Sequence, residues 1–310
     1  MPVFRILVCC RGPGRGLLKK EVHMIKMKNV LDNGNIVQKE KMGCFTVVEH
    51  KSDRSVTPAT AMKEYFMGKM GLAKRQLLCE LNGNAVKLQA GAMQWISGPV
   101  DSVTGITGAG QLAKNWLKSV VTKESAVKPI YKGNGYLMLE PSYNYILLED
   151  VASWGEKGIV LTDGMFLACD ADIEEKVVMR TNLSSVFGGK GLFNLSLVGK
   201  GVCALESFAP REELFEFTLD NDVLKIDGNM AVCWSGTLDF TVERSSKSLL
   251  GSMVNGEGLV NVYRGTGKIL MAPTLSGTLD EGSNAPKAED AKASKGIGAK
   301  LLKGLSKMAD

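Results

Sequence analysis

The sequence predicts an all-β protein built from three copies of one unit, and two observations lead to this prediction. The first is repetition at an interval of 66 residues, which is kept by Gly133-Asn134-Gly135, Gly199-Lys200-Gly201 and Gly265-Thr266-Gly267. The second is that, from Leu77 onward, short apolar or alternating runs are broken by glycine, as is typical of strands. Repetition at a fixed period indicates one supersecondary unit that packs against its own copies. We therefore expect three internal repeats in a pseudo-threefold β-sandwich or prism, with a few short helices.

The chain is predicted to have four parts. Residues 1–42 are expected to be a basic N-terminal extension, either poorly ordered or partly strand-forming, and residues 43–275 are the three-repeat β core. Residues 276–293 are rich in small and charged residues, which is typical of a linker. Residues 294–310 are predicted to form a basic amphipathic helix.

The core is expected to begin with a strand and a helix. The strand starts at Phe45, and the helix opens at Thr57-Pro58, with Thr57 at the N-cap and proline at the first helical position. We expect this helix to continue to Met70.

Each repeat then follows the same order of elements. A strand ends at a glycine corner, at Gly91, Gly164 or Gly228. A short helical or irregular stretch follows, and a hairpin across Gly-x-Gly closes the unit, because glycine adopts the positive φ that a tight turn needs. The helical stretches are expected around residues 116–121, 183–187 and 247–253.

Several of these motifs resemble the altered-inheritance-of-mitochondria family, also called the mitochondrial biogenesis family. They are the segment from Gly256 to Gly267, the segment Leu88-Gln89-Ala90-Gly91-Ala92-Met93, and the segment Gly164-Met165-Phe166-Leu167-Ala168. The resemblance covers about residues 43–275 and implies a three-copy β-fold similar to the tryptophan-RNA-binding attenuation protein. It implies no established enzymatic activity, and the family's mitochondrial member is associated with inner-membrane organisation.

Composition favours a non-catalytic cytoplasmic protein without a cofactor. The two histidines, His23 and His50, both precede the repeats, so a metal site or a Ser-His-Asp arrangement in the core is not expected. Seven cysteines with no Cys-x-x-Cys pair are typical of a reducing compartment. A carboxylate hydrolase stays open as a third alternative if acids converge in space. The acids in question are Asp163, Asp170, Asp172, Asp220 and Asp222.

An anion or nucleic-acid site at the Gly-x-Gly turns is the second hypothesis. Threefold symmetry would gather basic residues beside glycine amides, which is a known way to bind anions. The candidates are Lys132, Lys200, Arg264 and Lys268. Lysine at exposed turns is also common without any ligand, and the net charge of +5 lies mainly in the two termini. Nucleic acid is therefore not an expected partner.

The C-terminal segment carries the leading functional hypothesis. Its apolar and basic residues fall on separate faces of a helical wheel, as in helices that lie on anionic membranes or in a partner's groove. The docking residues are predicted to be Ile297, Lys300, Leu301, Lys303, Leu305 and Lys307. We expect a scaffold or adaptor, cytoplasmic and peripheral to a membrane, that docks on a membrane surface or a protein partner through this helix.

Overall fold

The computed structural model describes residues 26–103, 128–179, 193–228, 230–244 and 259–274. Over these ranges the protein is mostly β, with two antiparallel sheets and one α-helix, α1 (Ala61–Lys69). The sheets curve into barrel-like and half-barrel forms. The chain divides into two compact units, Met1–Pro273 and Thr274–Asp310, and the described strands and α1 all belong to the first.

The first sheet has nine strands within the described ranges. They are β1 (Ile36–Met42), β2 (Phe45–His50), β3 (Arg75–Leu88), β4 (Met93–Ser97), β5 (Val100–Val103), β6 (Ile130–Leu139), β7 (Tyr145–Asp150), β9 (Phe166–Asp170) and β12 (Val202–Ser207). The helix α1 (Ala61–Lys69) lies in the chain between β2 and β3. The main path of the sheet runs β1-β2-β3-β9-β12-β7, and β6 pairs with the other edge of β3.

The second sheet has seven strands within the same ranges. They are β8 (Ile159–Leu161), β10 (Glu174–Met179), β11 (Phe193–Val198), β13 (Phe215–Asp227), β14 (Ala231–Ser235), β15 (Asp239–Arg244) and β16 (Leu259–Met271). The path runs β10-β11-β8-β14-β16-β13, and β15 also pairs with β16. Two 3₁₀ turns complete the described elements, Val151–Trp154 and Arg211–Glu213.

One pairing pattern occurs at the three places where the sequence repeats. One edge of β6 pairs with β3, and its other edge is shared by β4 and β5. Likewise β16 pairs with β13 on one edge and with β14 and β15 on the other. At the middle place the long strand is divided, so that β12 pairs with β7 and β9 while β11 pairs with β8 and β10.

Two of the three Gly-x-Gly segments lie inside strands and the third joins two strands that do not pair with each other, so the predicted hairpins across them are wrong. Gly133 and Gly135 belong to β6, and Gly265 belongs to β16. A Cβ on Gly135 would lie 1.9 Å from the carbonyl oxygen of Ser97, and one on Gly133 would lie 2.1 Å from that of Pro99. Glycine is required there because a neighbouring backbone approaches closely. The segment containing Gly199 instead joins β11 to β12.

The three predicted glycine corners are confirmed. Gly91 lies between β3 and β4, Gly164 between β8 and β9, and Gly228 between β13 and β14. Their φ angles are +82°, +83° and +65°, the left-handed region that a residue with a Cβ rarely adopts. Turn chemistry is local, and the sequence pattern was therefore sufficient to place these corners.

Alternating side chains of the first sheet build two cores. Val47 and Leu77 pack in one buried cluster, while their neighbours Val48 and Leu78 pack in another, on the opposite face. This follows from the period of two along a strand. A further cluster draws residues from both sheets and joins them, including Phe166 of β9 and Leu270 of β16.

Several predicted segments lie partly or wholly outside the described residues. The predicted N-terminal extension, residues 1–42, includes β1, whose Ile36 pairs with His50 of β2. The stretches 116–121, 183–187 and 247–253, the linker 276–293 and the C-terminal segment 294–310 are all outside the described ranges.

Candidate functional site: the α1 face and the adjoining cleft

The helix α1 begins later than the sequence predicts. It starts at Ala61 with Thr60 at the N-cap, whereas we expected Thr57 at the cap. It ends in a Schellman motif, in which Gly71 N–H donates to Gly68 and Leu72 N–H donates to Met67. Both threonines are suitable N-cap residues. A separate hydrogen-bonded turn, from the N–H of Thr60 to the carbonyl oxygen of Thr57, precedes the helix, so the helix begins three residues later than expected.

The outer face of α1 is apolar and open to solvent. Four side chains form this surface, which we call the α1 stripe: Met62 (72% exposed), Tyr65 (60%), Phe66 (59%) and Met70 (80%). Spacings of three and four residues place them on one side of the helix. Within the described chain no residue of α1 is buried, so apolar packing does not explain these residue types.

Polar contacts hold α1 on the sheet. The phenol of Tyr143 donates a hydrogen bond to Glu64 of α1. Lys74 lies 5.5 Å from the centre of the Tyr143 ring and forms an ion pair with Asp53. The hydrogen bond between these two side chains lowers the pKa of Asp53 and raises the pKa of Lys74. The Tyr143–Glu64 hydrogen bond holds the side of α1 that carries Glu64, and the α1 stripe is exposed to solvent.

Two basic residues, Lys63 and Lys69, lie on α1 beside the stripe, and Arg54 precedes the helix in the chain. Arg54, Lys63 and Lys69 form no ion pair with any residue that the structure describes. The ammonium of Lys69 lies 5.4 Å from the centre of the Tyr65 ring. The nearby acids, Glu64 and Asp53, are already bonded to Tyr143 and Lys74. The surface therefore combines exposed apolar side chains with an excess of positive charge.

A polar cleft of about 620 Å³ adjoins α1 in the chain. It is lined by residues 33–35, residues 52–55, His50, Lys74, Gln76, Gln94 and Pro141. These residues come from the ends of β2, β3 and β4, from the segments that flank α1, and from the segments that precede β1 and follow β6. The cleft shares the Lys74–Asp53 ion pair with the polar attachment of α1.

Gln76 sets the proton position on His50. Its amide nitrogen donates to the carbonyl oxygen of Leu139 at 2.8 Å and to Oε1 of Gln94 at 2.8 Å. A carbonyl oxygen can only accept, so Oε1 of Gln76 is the atom that faces His50. His50 Nε2–H therefore donates to it at 2.7 Å, and the neutral ring keeps its lone pair on Nδ1.

The predicted basic residues at the Gly-x-Gly segments lie in different parts of the fold. Lys132 is exposed on β6 of the first sheet, and Lys200 is exposed between β11 and β12. Arg264, on β16, donates two hydrogen bonds to Glu243, at 2.7 and 2.9 Å. Lys268 lies 4.7 Å from the centre of the Trp154 ring. Anion binding by these four residues stays a prediction, and Arg264 already has a carboxylate partner.

The predicted docking residues of the C-terminus, Ile297, Lys300, Leu301, Lys303, Leu305 and Lys307, lie outside the described residues.

The sequence predicted the helix α1 but not that its apolar face would be exposed. The signal was present as Met62, Phe66 and Met70 at helical spacing. A helix that packs on a core has the same spacing, and the pattern alone could not separate the two.

Two of the acids considered for a hydrolase site, Asp170 and Asp222, have contacts with nearby residues. Asp170 accepts the backbone N–H of Val202 at 2.8 Å and the thiol of Cys44 at 3.7 Å. Asp222 accepts the N–H of Val223 at 2.7 Å.

Within the described ranges no α-helix is long and apolar enough to cross a membrane.

The fold and this face define a mostly β protein with two curved sheets and an exposed apolar helix surface. The chain belongs to the mitochondrial biogenesis AIM24 family, whose model matches residues 69–274. An uncharacterised protein of Streptococcus pyogenes serotype M6 is 32% identical over 197 residues, which cover 61% of this chain and 76% of the relative. The helix α1 lies almost wholly before the matched region.

A solved structure supports the fold. The crystal structure of another Streptococcus pyogenes protein matches with a TM-score of 0.51 and 28% sequence identity. The match covers 69% of this chain and 93% of that chain.

Proposed function

We propose that this protein is a non-catalytic cytoplasmic scaffold or adaptor that docks on an anionic membrane surface. The observation that carries the proposal is the α1 stripe, whose four large apolar side chains are 59–80% exposed on a helix that Tyr143 contacts through Glu64. An exposed apolar surface rimmed by polar residues is typical of an interaction site.

The basic residues beside the stripe favour a membrane over an apolar protein groove. Full burial of a Met or Phe side chain is worth roughly 1.5–3 kcal/mol. Each lysine or arginine near an anionic bilayer adds about 1 kcal/mol. Lys63 and Lys69, which lie on α1, would contribute in this way, because neither has a described acidic partner. A short helix with this composition is suited to lying in the interfacial plane.

The C-terminal segment supplies a second contact in this proposal. Stable attachment to a membrane generally takes two weak signals. Residues 294–308 separate apolar from basic side chains on a helical wheel and follow a linker, so they are suited to act together with α1. The cytoplasmic setting is proposed because Cys44, Cys79, Cys169, Cys203 and Cys233 are free thiols.

We also propose that the core which presents α1 is made of three copies of one unit about a pseudo-threefold axis. The shared pairing pattern of β6, of β16 and of β11 with β12 supports this. A one-residue bulge recurs in the strand after each glycine corner, between Met93 and Trp95 and between Ala231 and Cys233. The third bulge lies in β9, where Ala168 pairs with Ala204 but Phe166 pairs with Leu205.

The test is co-sedimentation with vesicles of phosphatidylcholine alone or mixed with phosphatidylglycerol. Four proteins are compared: the full chain, Phe66→Ser, a 1–284 truncation and the truncation carrying Phe66→Ser. We expect binding only to the anionic vesicles and a loss of roughly tenfold or more for Phe66→Ser, since a buried aromatic side chain is removed. The combined variant should not bind.

Phe208→Ser is the matched control, because Phe208 is 60% exposed on another part of the protein. It should bind as the unmodified chain does. If Phe66→Ser and Phe208→Ser bind vesicles as well as the unmodified chain, α1 is not a membrane contact. If no protein binds either vesicle, the membrane proposal fails, and the stripe is then to be tested by sedimentation for self-association.

A further inference from the structure

We propose that the polar cleft beside α1 binds a phosphate group, held by Arg54, His50 and Gln94. This goes beyond the docking function, because the cleft would bind its anion whether or not α1 meets a membrane. The sources that share this chemistry are free phosphate and the phosphate of a glycerol-based headgroup.

Three polar groups at the cleft lack a described hydrogen-bond partner. Within the described residues, His50 Nδ1, the guanidinium of Arg54 and the amide nitrogen of Gln94 have no hydrogen-bond partner. The neighbouring groups are occupied. The amide group of Gln76 is hydrogen-bonded to Leu139, Gln94 and His50. The amide group of Asn35 is hydrogen-bonded to the backbone and hydroxyl of Ser52.

The charge of the cleft selects an anion. Asp53 is its one carboxylate among the described lining residues, and its oxygens accept from Lys74 and from the N–H and hydroxyl of Ser55. Lys74 neutralises that charge, so Arg54 supplies an excess of +1. The planar guanidinium of arginine matches two oxygens of a phosphate, which makes a phosphate a better fit than a halide.

His50 suits phosphate in either protonation state. Because Gln76 accepts from Nε2–H, the neutral ring offers a lone pair at Nδ1, which can accept from a P–OH group. When the ring is protonated, Nδ1–H donates to a phosphate oxygen instead. One hydrogen bond between His50 Nδ1 and a phosphate oxygen can therefore form whichever of the two groups holds the proton.

The dimensions of the cleft allow a substituent on the phosphate. A volume of about 620 Å³ lies within the range of roughly 300–1,000 Å³ that small-molecule sites occupy. Gln94 is exposed at the bulge of β4, where the register shifts between Met93 and Trp95. The bulge places its amide group beside Gln76, although the two residues are distant in the chain.

The test is titration of the full chain with inorganic phosphate and, separately, with glycerol 3-phosphate, followed by calorimetry and by nitrogen-15 NMR of the histidine rings. We expect binding of phosphate to move the Nδ1 signal of His50 more than its Nε2 signal. Arg54→Ala should weaken binding by at least tenfold, because a charge-assisted bidentate contact is lost. Lys63→Ala is the control, since it removes the same charge from α1, outside the cleft lining.

Tighter binding of glycerol 3-phosphate than of inorganic phosphate assigns the cleft to a headgroup, and equal binding assigns it to free phosphate. Equal losses in Arg54→Ala and Lys63→Ala would mean nonspecific charge attraction and would overturn the proposal, as would an unchanged His50 spectrum. No vesicle enters this experiment, so its failure leaves the docking function of α1 untouched. Vesicle binding that fails while phosphate binds would reject the docking function alone.

Discussion

The phenol of Tyr143 donates a hydrogen bond to the carboxylate of Glu64, and this contact joins the sheet body to α1. Burial, and then the hydrogen bond to Glu64, raise the pKa of Tyr143, so the phenol keeps its proton and remains the donor. The polar attachment explains how a helix with an outward apolar face keeps a defined position without a hydrophobic core beneath it.

Tyr143→Phe should loosen α1 without unfolding the protein. Loss of one hydrogen bond to a partly exposed carboxylate is expected to lower the local stability of α1 by about 1 kcal/mol. Amide hydrogen exchange in Ala61–Lys69 should then be about fivefold faster, while the main unfolding transition stays in place. The matched control is Tyr145→Phe, because the phenol oxygen of Tyr145 makes no described hydrogen bond while its ring lies 3.8 Å from Arg75. Equal exchange rates in both variants would contradict the role of Tyr143.

Gly135→Ala should destabilise the whole first sheet. The new methyl would lie 1.9 Å from the carbonyl oxygen of Ser97, so β4 and β6 would have to separate. We expect a loss of about 2 kcal/mol or more in the free energy of unfolding, measured by urea denaturation. Gly68→Ala is the opposite control, since nothing lies within 4 Å of its added methyl and α1 should gain roughly 0.5–1 kcal/mol of helix propensity. A neutral Gly135→Ala would show that close strand approach does not explain this glycine.

Glu149 should make stability depend on pH in an unusual direction. Burial raises its pKa above 4.5, against the opposing effect of Arg211. Its contribution to stability is therefore complete below the unfolded-state pKa and is lost as pH rises through the folded-state pKa. Glu149→Gln keeps an acceptor for Trp154, so it should gain stability relative to the unmodified protein as pH rises from acid to neutral.

The control for this prediction has the opposite sign. The hydrogen bonds from Arg264 lower the pKa of Glu243, so its contribution is present at neutral pH and is lost as pH falls. Glu243→Gln should therefore lose stability relative to the unmodified protein as pH rises. Urea denaturation across this pH range measures both differences. Parallel pH profiles for the two variants would contradict the raised pKa of Glu149 and the lowered pKa of Glu243.

The thiols of Cys44, which is partly buried, and of Cys169, which is buried, should resist alkylation in the folded protein. Burial, reinforced by the charge of Asp170, raises the pKa of Cys44 to about 12. Burial, reinforced by Glu175, also raises the pKa of Cys169 to about 12. Thiolate is the reactive form, so iodoacetamide at neutral pH should modify these residues only in step with urea unfolding. Peptide mass spectrometry at Cys44 and Cys169 checks this, and rapid modification of either residue in the native protein would contradict it.

The sequence alone was sufficient for features that depend on near neighbours along the chain. The strand class follows from period-two alternation, and Gly91, Gly164 and Gly228 mark corners because only glycine adopts their φ angles readily. The helix was predicted too, although its start was placed at Thr57 and not beside Thr60. Two threonines three residues apart offer equal capping chemistry, so local propensity could not choose between them.

Only the tertiary structure decided how these elements meet. The glycines at 133 and 135 were expected in a hairpin, but they lie within β6, because backbone from another part of the chain approaches them there. The pattern of Met62, Phe66 and Met70 predicts an apolar helix face, and whether that face is covered depends on packing partners far away in sequence. Sheet pairing likewise brings Gln76 to His50 and Gln94 to Gln76. Periodicity and turn preference are local properties, whereas exposure and side-chain convergence arise from long-range pairing.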